Sequence, residues 1–457
     1  MAWKRGGFMS IWKKDAISVI GLGKLGQPLA VCFASKGFKT VGVDIDETVV
    51  DAINRKQATV LELGLQELLD TTGNNLRATT SFHEAIASTD TSIILVPTPS
   101  EGEGNFSSKY VEEALYSLGK ALAFSKKSYH LVIISSTVSP GTIEGRLIKL
   151  LEETSGRRLN EGFGLCYCPE TVALGNTIEG FLRPDMVMIG ESSPEAGEQA
   201  ETIYKQFCEN NPPIIRMSLI NAELAKLALN CYVTIKISFA NSLANLCERL
   251  LGADVDVVTQ AIGMDRRIGP HYLKGGLSYG GTCFPRDTRA YIALAKSVGL
   301  KADLIEAVER VNSWQDTHLL EIVLKEVERA PRRVVSVLGT AFKPNTPVIV
   351  NSPSIKLIRG LLDAGVDVTV YDPLALPNTK RLFGQRISYA ESLLTCVQSA
   401  PVCVVATPWP EFRQIDETHI HWNPTIVIDC WRILDPEKLG VRVHYIPLGR
   451  GPQTIRQ

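Results

Sequence analysis

The chain has little of what would mark several protein classes. It has no excess of charge, with 48 Lys and Arg against 49 Asp and Glu in 457 residues, so nothing electrostatic argues for nucleic acid or an acidic membrane as principal partner. No apolar run approaches the roughly 20 residues that cross a bilayer. The ten cysteines are scattered, mostly inside apolar runs, and none has CxxC spacing, which reads as reduced cytosolic thiols that fill core. Cys166 and Cys168 share one face of a strand pattern, yet no neighbouring Cys or His completes a ligand set, so no metal is expected. Residues 1–15 are basic and carry tryptophan but lack the apolar core of a signal peptide. They are expected to be a short extension, disordered or vector-like, with Met9 a second candidate start. There is no short-period repeat and no low-complexity segment. A chain of this length should form two or three domains.

What is present begins with an apolar strand, Ala16 to Ile20, that runs into Gly21-Leu22-Gly23-Lys24-Leu25-Gly26, a helical pattern from Gln27 to Lys36, and a second strand, Thr40 to Val43, ending at Asp44. This is a dinucleotide fingerprint in its strand-turn-helix-strand setting. Gly21 makes the turn, Gly23 lets a pyrophosphate approach, Gly26 allows close helix packing, and Asp44 can accept both ribose hydroxyls. Lys24 and Leu25 belong to the same loop. An acid at Asp44 repels a 2′-phosphate, and Ile45, Asp46 and Glu47 supply no cation, so the cofactor is expected to be NAD, not NADP.

Further strands, Thr91 to Val96 and His130 to Ser135, end in Pro97-Thr98-Pro99 and Ser135-Ser136-Thr137. Residues beyond the carboxyl ends of parallel strands face the ligand crevice, which makes Thr98, Ser136 and Thr137 candidates for contact with cofactor or substrate; caps and turns use the same residue types. The strand Phe163 to Tyr167 delivers Cys168-Pro169-Glu170, where the acid is either a general base or a helix cap. From Asn221 to Leu251 one long amphipathic helix carries Glu223, Lys226 and Asn230 on one face, with Thr234, Ser238, Asn241 and Asn245 extending the stripe. Such a stripe is either solvated or, with an ammonium beside an amide, suited to holding an alkoxide.

Asp265-Arg266-Arg267-Ile268-Gly269 and Lys274 precede Gly275-Gly276-Leu277-Ser278-Tyr279-Gly280-Gly281-Thr282-Cys283-Phe284-Pro285-Arg286-Asp287. Pro285 suits the first position of a helix, which puts Cys283 at a helix start, where unpaired amides and the macrodipole favour a thiolate. Asp287 falls in the first turn. A glycine-rich turn with a buried small residue and a helix-start acid accounts for this stretch equally well. A second helical region bearing Asn312 and Gln315 runs to Lys325, and Pro331 to Arg333 reads as a linker. Beyond it strands Val334 to Leu338, Val368 to Tyr371, Val402 to Ala406 and Ile426 to Ile428 form a second α/β region without GxGxxG. The order is α/β, helical, α/β.

Together GLGKLG, VPTP, SSTVSPGT, CPE, the helix from Glu223 to Asn241, DRRIG, GGTCFPRD and LGTAFKPNT occur in an order that resembles the UDP-glucose/GDP-mannose dehydrogenase family from about Ala16 to Pro447. The resemblance implies two Rossmann-like domains with parallel sheets, joined by a central helical domain whose long helix also builds a dimer. The boundaries expected are 1–15 extension, 16–215 NAD-binding domain, 216–330 central domain and 331–457 nucleotide-sugar-binding domain. It also implies a cytoplasmic homodimer or higher oligomer that oxidises the C6 alcohol of a nucleotide sugar to a carboxylate with two NAD, a step towards polysaccharides.

By motif position, Cys283 would be the nucleophile that passes through a thiohemiacetal and a thioester. Lys226 and Asn230 would stabilise oxyanions, Glu170 would be the base for thioester hydrolysis, and Thr137 and Asp287 would position water and shuttle protons. Phe284, Lys343 and Arg432 match substrate-contacting positions, Arg267 one that reaches across the dimer, and Lys274 lies near the same site. UDP-glucose is the leading substrate. A UDP-N-acetylhexosamine, TDP-glucose, GDP-mannose, a two-electron hydroxy-acid dehydrogenase and a non-catalytic NAD-binding protein are the alternatives. Where the family usually carries acids and then an Arg-Glu pair, this chain has Pro347-Val348-Ile349-Val350-Asn351. Loss of that arginine at Val350 is expected to affect NAD affinity or the interdomain hinge.

Overall fold

A computed structural model describes residues 16–102 and 104–452; the expected 1–15 extension lies outside them. The described chain forms two compact units, the first made of 16–101 and 106–226, the second of 227–452 with 102, 104 and 105.

The first unit is built on an eight-stranded sheet. Its strands lie in the order Ile214–Ser218, Val187–Glu191, Gly164–Tyr167, Leu131–Ile134, Thr91–Ile94, Ile17–Ile20, Thr40–Val43 and Leu76–Thr79. All neighbours are parallel except Val187–Glu191 on Gly164–Tyr167, which are antiparallel. The two outer strands are thus appended to a six-stranded parallel core, an addition common at the edge of such sheets. Successive residues of each central strand enter opposite layers. Val19, Ile93 and Ile133 pack with the helix Gly26–Ser35, while Ile20, Ile94 and Ile134 pack with Lys109–Phe124. Burial on both faces explains why these strands read as continuous apolar runs. The chain order reverses between Ile17–Ile20 and Thr91–Ile94, which puts the crevice at the ends of those strands.

The second unit contains a six-stranded parallel sheet, ordered Ser388–Tyr389, Asp367–Tyr371, Val334–Leu338, Val402–Val405, Thr425–Asp429 and Val443–Pro447. Its reversal point lies between Val334–Leu338 and Val402–Val405. Three helices precede it: Val255–Gly263, Phe284–Ser297 and Asp303–Arg329. The long helix runs Leu219–Cys247, starting two residues and ending four residues earlier than its pattern suggested. After Gly141 the chain forms one π-helical stretch, Ile143–Leu147, and becomes α-helical over Ile148–Ser155. This helix ends on the left-handed Gly156, a common stop. No helix among the described residues is long and apolar enough to cross a membrane.

Candidate active site

In the first unit the glycine loop meets its sequence reading. Gly21 has φ +91°, and an added Cβ would lie 2.5 Å from the Leu95 carbonyl oxygen; at Gly26 it would lie 1.8 Å from that of Gly21. Both are needed for packing. At Gly23 an added Cβ meets nothing within 4 Å, so this glycine keeps open the space before the helix Gly26–Ser35, where amide donors favour a pyrophosphate. Asp44, at the end of Thr40–Val43, accepts from the Leu22 amide at 2.7 Å and the Asp46 amide at 3.0 Å. That fixes its half-buried carboxylate beside the loop. Lys24 is exposed, and Leu25 packs on the core. These features fit a dinucleotide with free ribose hydroxyls.

Ser136 and Thr98 are both buried. The Ser136 hydroxyl donates to the Val96 carbonyl at 2.9 Å and accepts from the Val96 amide at 2.8 Å. It therefore shapes the Val96 to Thr98 turn from the neighbouring strand end. Thr137 is likewise buried, one residue on. The Lys226 ammonium, only 5 % exposed, donates to the Glu170 carbonyl at 2.5 Å, so these two candidates meet within the unit. One helical turn before Lys226, Glu223 is fully buried and accepts from the amides of Gly141 at 2.6 Å and Ile143 at 3.1 Å. Burial pushes its carboxyl up to about 7, against the pull of those two amides. Glu62 accepts from the amides of Gly175 and Thr177, closing the loop that follows Glu170.

In the second unit Cys283 caps the helix Phe284–Ser297, with Pro285 in its first turn. All ten cysteines are among the described residues, and Cys283 alone is exposed. Burial pushes the thiols of Cys32, Cys166, Cys231 and Cys403 up to about 12, so these stay protonated and unreactive. The Asp287 amide donates to the Cys283 carbonyl at 2.8 Å, closing the first helical turn. Asp287 is wholly buried; its carboxylate accepts from Asn230 Nδ2 at 2.5 Å and Arg286 Nε at 2.9 Å. Asn230, Asp287 and Cys283 are therefore held together by one helix start. The Phe284 ring stands edge-on to Tyr272 and Tyr279, each 6.2 Å between centroids.

The glycine stretch before Cys283 is fastened by amide side chains. Asn241 accepts from the Gly276 amide at 2.8 Å and donates to the Leu277 carbonyl at 3.0 Å. Asn312 bonds both backbone groups of Tyr279, and Gln315 donates to the Gly276 carbonyl at 2.7 Å. The uncharged stripe on the long helix thus divides. Asn230 faces the acid of the candidate site, whereas Asn241 satisfies buried backbone.

Arg432, read as a substrate contact, makes its hydrogen bonds here to protein groups. Its side chain is fully buried, paired with Asp256 at 2.8 and 2.9 Å, and donates to the carbonyls of Gly275 at 2.7 Å and Leu448 at 2.6 Å. Burial opposes ionisation of Asp256, but Arg432, with Lys274 and Arg450 beyond it, holds that carboxyl below its ordinary range. Lys274 itself is exposed. Arg267 is 87 % exposed at its side chain and pairs with Asp265 at 2.6 Å. Lys343 is half-buried, its ammonium 6.0 Å from the Phe342 ring centroid. Glu62 and Asp256 went unnoticed in the sequence. Each has its partner far along the chain, 176 residues away for Asp256, and no local pattern marks such a pair.

Three family models match: the UDP-glucose/GDP-mannose dehydrogenase family NAD binding domain over 15–208, central domain over 220–314 and UDP binding domain over 336–436. The chain is 39 % identical to the UDP-glucose 6-dehydrogenase of Haloferax volcanii over 421 residues, covering 92 % of this chain and 97 % of that protein. It is 34 % identical to the UDP-glucose 6-dehydrogenase of Bacillus subtilis over 440 residues, 95 % of this chain and 93 % of that one. Among solved structures it resembles a UDP-glucose dehydrogenase from Pyrobaculum islandicum, with a TM-score of 0.87, 32 % identity, and coverage of 98 % of this chain and 100 % of that chain.

Proposed function

Because the chain belongs to the UDP-glucose/GDP-mannose dehydrogenase family, we propose that it oxidises the C6 alcohol of UDP-glucose to the carboxylate in two successive NAD-dependent steps. The observation that carries the reading is Cys283, exposed at a helix start above the buried pair of Asn230 and Asp287. The names of its relatives, UDP-glucose 6-dehydrogenases, support the choice of sugar.

NAD, held by the Gly21 to Gly26 loop, Asp44 and the turns at Thr98 and Ser136, supplies the hydride acceptor for both oxidations. A proton leaves the C6 hydroxyl through water to Asp287 as its hydride departs, and Lys226 and Asn230, one turn apart on one helix face, steady the oxygen charge. The Cys283 thiolate then adds to the aldehyde carbon. Only the resulting tetrahedral thiohemiacetal can release a second hydride and become a thioester. Glu170 takes a proton from the water that attacks this thioester, with Thr137 positioning the water. Asp287, tied to Asn230, returns a proton to the departing sulfur. Phe284, Lys274 and Lys343 are assigned to the nucleotide sugar, and Arg267 to a partner subunit's site. Arg432 is assigned to the nucleotide sugar as well.

We divide the chain into an NAD-binding domain at 16–215, a central domain at 216–330 and a nucleotide-sugar domain at 331–457, a division supported by the ranges of the three family models. We also propose a cytoplasmic location, which the ten free cysteines, the exposed Cys283 among them, support. The test is NADH yield per sugar. Two NADH per UDP-glucose are expected, and Cys283→Ser should form no acid while still releasing aldehyde slowly. One NADH per sugar, or wild-type acid formation by that variant, would overturn the mechanism.

A further inference from the structure

The turn Ile349 to Ser352 touches the stretch before Cys283 at its tightest point. Gly281 is buried with φ +82°, and both of its backbone polar groups are met from this one turn. Its amide donates to the Val350 carbonyl at 2.9 Å, and its carbonyl accepts from Asn351 Nδ2 at 3.1 Å. The approach leaves no room for a side chain. A Cβ on Gly280 would stand 2.4 Å from the Asn351 carbonyl oxygen, and one on Gly281 would stand 2.7 Å from the Phe342 ring. Asn351 itself has φ +51°, a left-handed backbone that asparagine accepts more readily than most residues. The turn is fixed in its own right. The Ser352 amide donates to the Ile349 carbonyl at 3.1 Å and the Phe342 amide to the Val348 carbonyl at 3.1 Å, and the helix Pro353–Asp363 begins immediately after.

Cys283 therefore sits between two anchors. Two residues before it, Gly281 is clasped by Val350 and Asn351; after it, the first helical turn is held by Asn230 on Asp287. Only Thr282 lies between Gly281 and Cys283, its hydroxyl 3.6 Å from the Cys283 sulfur. We propose that Asn351 is a positioning residue for Cys283, acting through the Gly281 carbonyl to set where the sulfur stands. The inference rests on the reading of Cys283 as nucleophile, and it gives a purpose to the Val350-Asn351 pair that replaces the family's usual Arg-Glu.

Three full-length variants separate the side-chain bond from the backbone conformation. Asn351→Gly keeps the left-handed backbone but loses the donor. Asn351→Asp keeps shape and backbone preference but turns an acceptor towards the Gly281 carbonyl. Asn351→Ala loses both the donor and the preference. The Gly and Asp variants should lower kcat on the order of 10-fold to 100-fold, since a displacement near 1 Å at a reacting atom has that effect, and should change the rate at which iodoacetamide alkylates Cys283, whose reactivity depends on its surroundings at the helix start. KM for UDP-glucose and NAD binding should stay within about twofold of wild type. Asp differs from Asn by one atom and is expected to leave the fold intact, so a folded variant is available. Unchanged kcat and alkylation in a folded Asp or Gly variant would overturn the proposal, as would a rise in KM at constant kcat. If Cys283→Ser retains acid formation, the nucleophile reading fails instead. If that variant is inactive while the Asn351 variants match wild type, only the present inference falls.

Discussion

Glu223 is a carboxylate with no exposure and two amide donors, and the balance between those facts makes it a titrating group near neutrality. Its folded pKa, about 7, lies above its ordinary 4.5, so the folded state holds the proton more tightly than the unfolded chain does. The stabilising contribution is complete below pH 4.5 and is lost as pH rises through about 7. Between pH 5 and 8 the first unit should lose stability on the order of 2 to 3 kcal/mol from this group alone. Glu223→Gln cannot ionise and should show a flatter profile, at the cost of one acceptor for the Gly141 and Ile143 amides. Urea unfolding at four pH values checks this; parallel curves for the two proteins would refute it. At the same scale Cys283 differs from the other nine thiols in exposure, a difference that residue type alone did not reveal.

At the scale of elements, the stretch 275–287 gains its shape from helices that are remote in sequence. Asn241 lies on the long helix, Asn312 and Gln315 on Asp303–Arg329, and together they satisfy backbone groups of Gly276, Leu277 and Tyr279. Asn241→Ala should leave the Gly276 amide and the Leu277 carbonyl buried without partners, at roughly 1 to 3 kcal/mol for each group. A loss of about 2 to 6 kcal/mol in equilibrium unfolding is expected, accompanied by faster hydrogen exchange at residues 276–279. A loss below about 0.5 kcal/mol would show that the loop does not depend on this side chain. The helix start at Cys283, by contrast, was legible locally. Pro285 can occupy the first turn of a helix but not its interior, so it marks where the helix Phe284–Ser297 begins.

For the molecule as a whole, the long helix leaves an apolar row uncovered. Tyr232, Phe239 and Leu246 are 60, 52 and 54 % exposed at two successive spacings of seven. A seam at this period is what two such helices would bury against each other. We therefore expect a homodimer in solution. Phe239→Arg with Leu246→Arg should convert it to a monomer by light scattering, because each apolar side chain is worth about 1.5 to 3 kcal/mol when buried and a two-fold interface repeats the loss. A wild-type mass of one chain would refute the dimer.

The sequence by itself determined the α/β, helical, α/β order, the central strands of both sheets and the NAD loop. It did so because strands buried on both faces read as apolar runs and because the fingerprint demands glycine at two crowded positions, Gly21 and Gly26. It also carried the family through motifs kept in order. The strands Leu76–Thr79, Val187–Glu191 and Ile214–Ser218 escaped it; Ile214–Ser218, at the sheet edge, is only partly buried and so leaves no continuous apolar run. Only the tertiary structure decided that Arg432 pairs with Asp256, that Asn241 serves the backbone and that Asn351 clasps Gly281. In each case a polar group finds its partner tens of residues or more away, and such pairing is set by how sheets and helices pack, which no local pattern encodes.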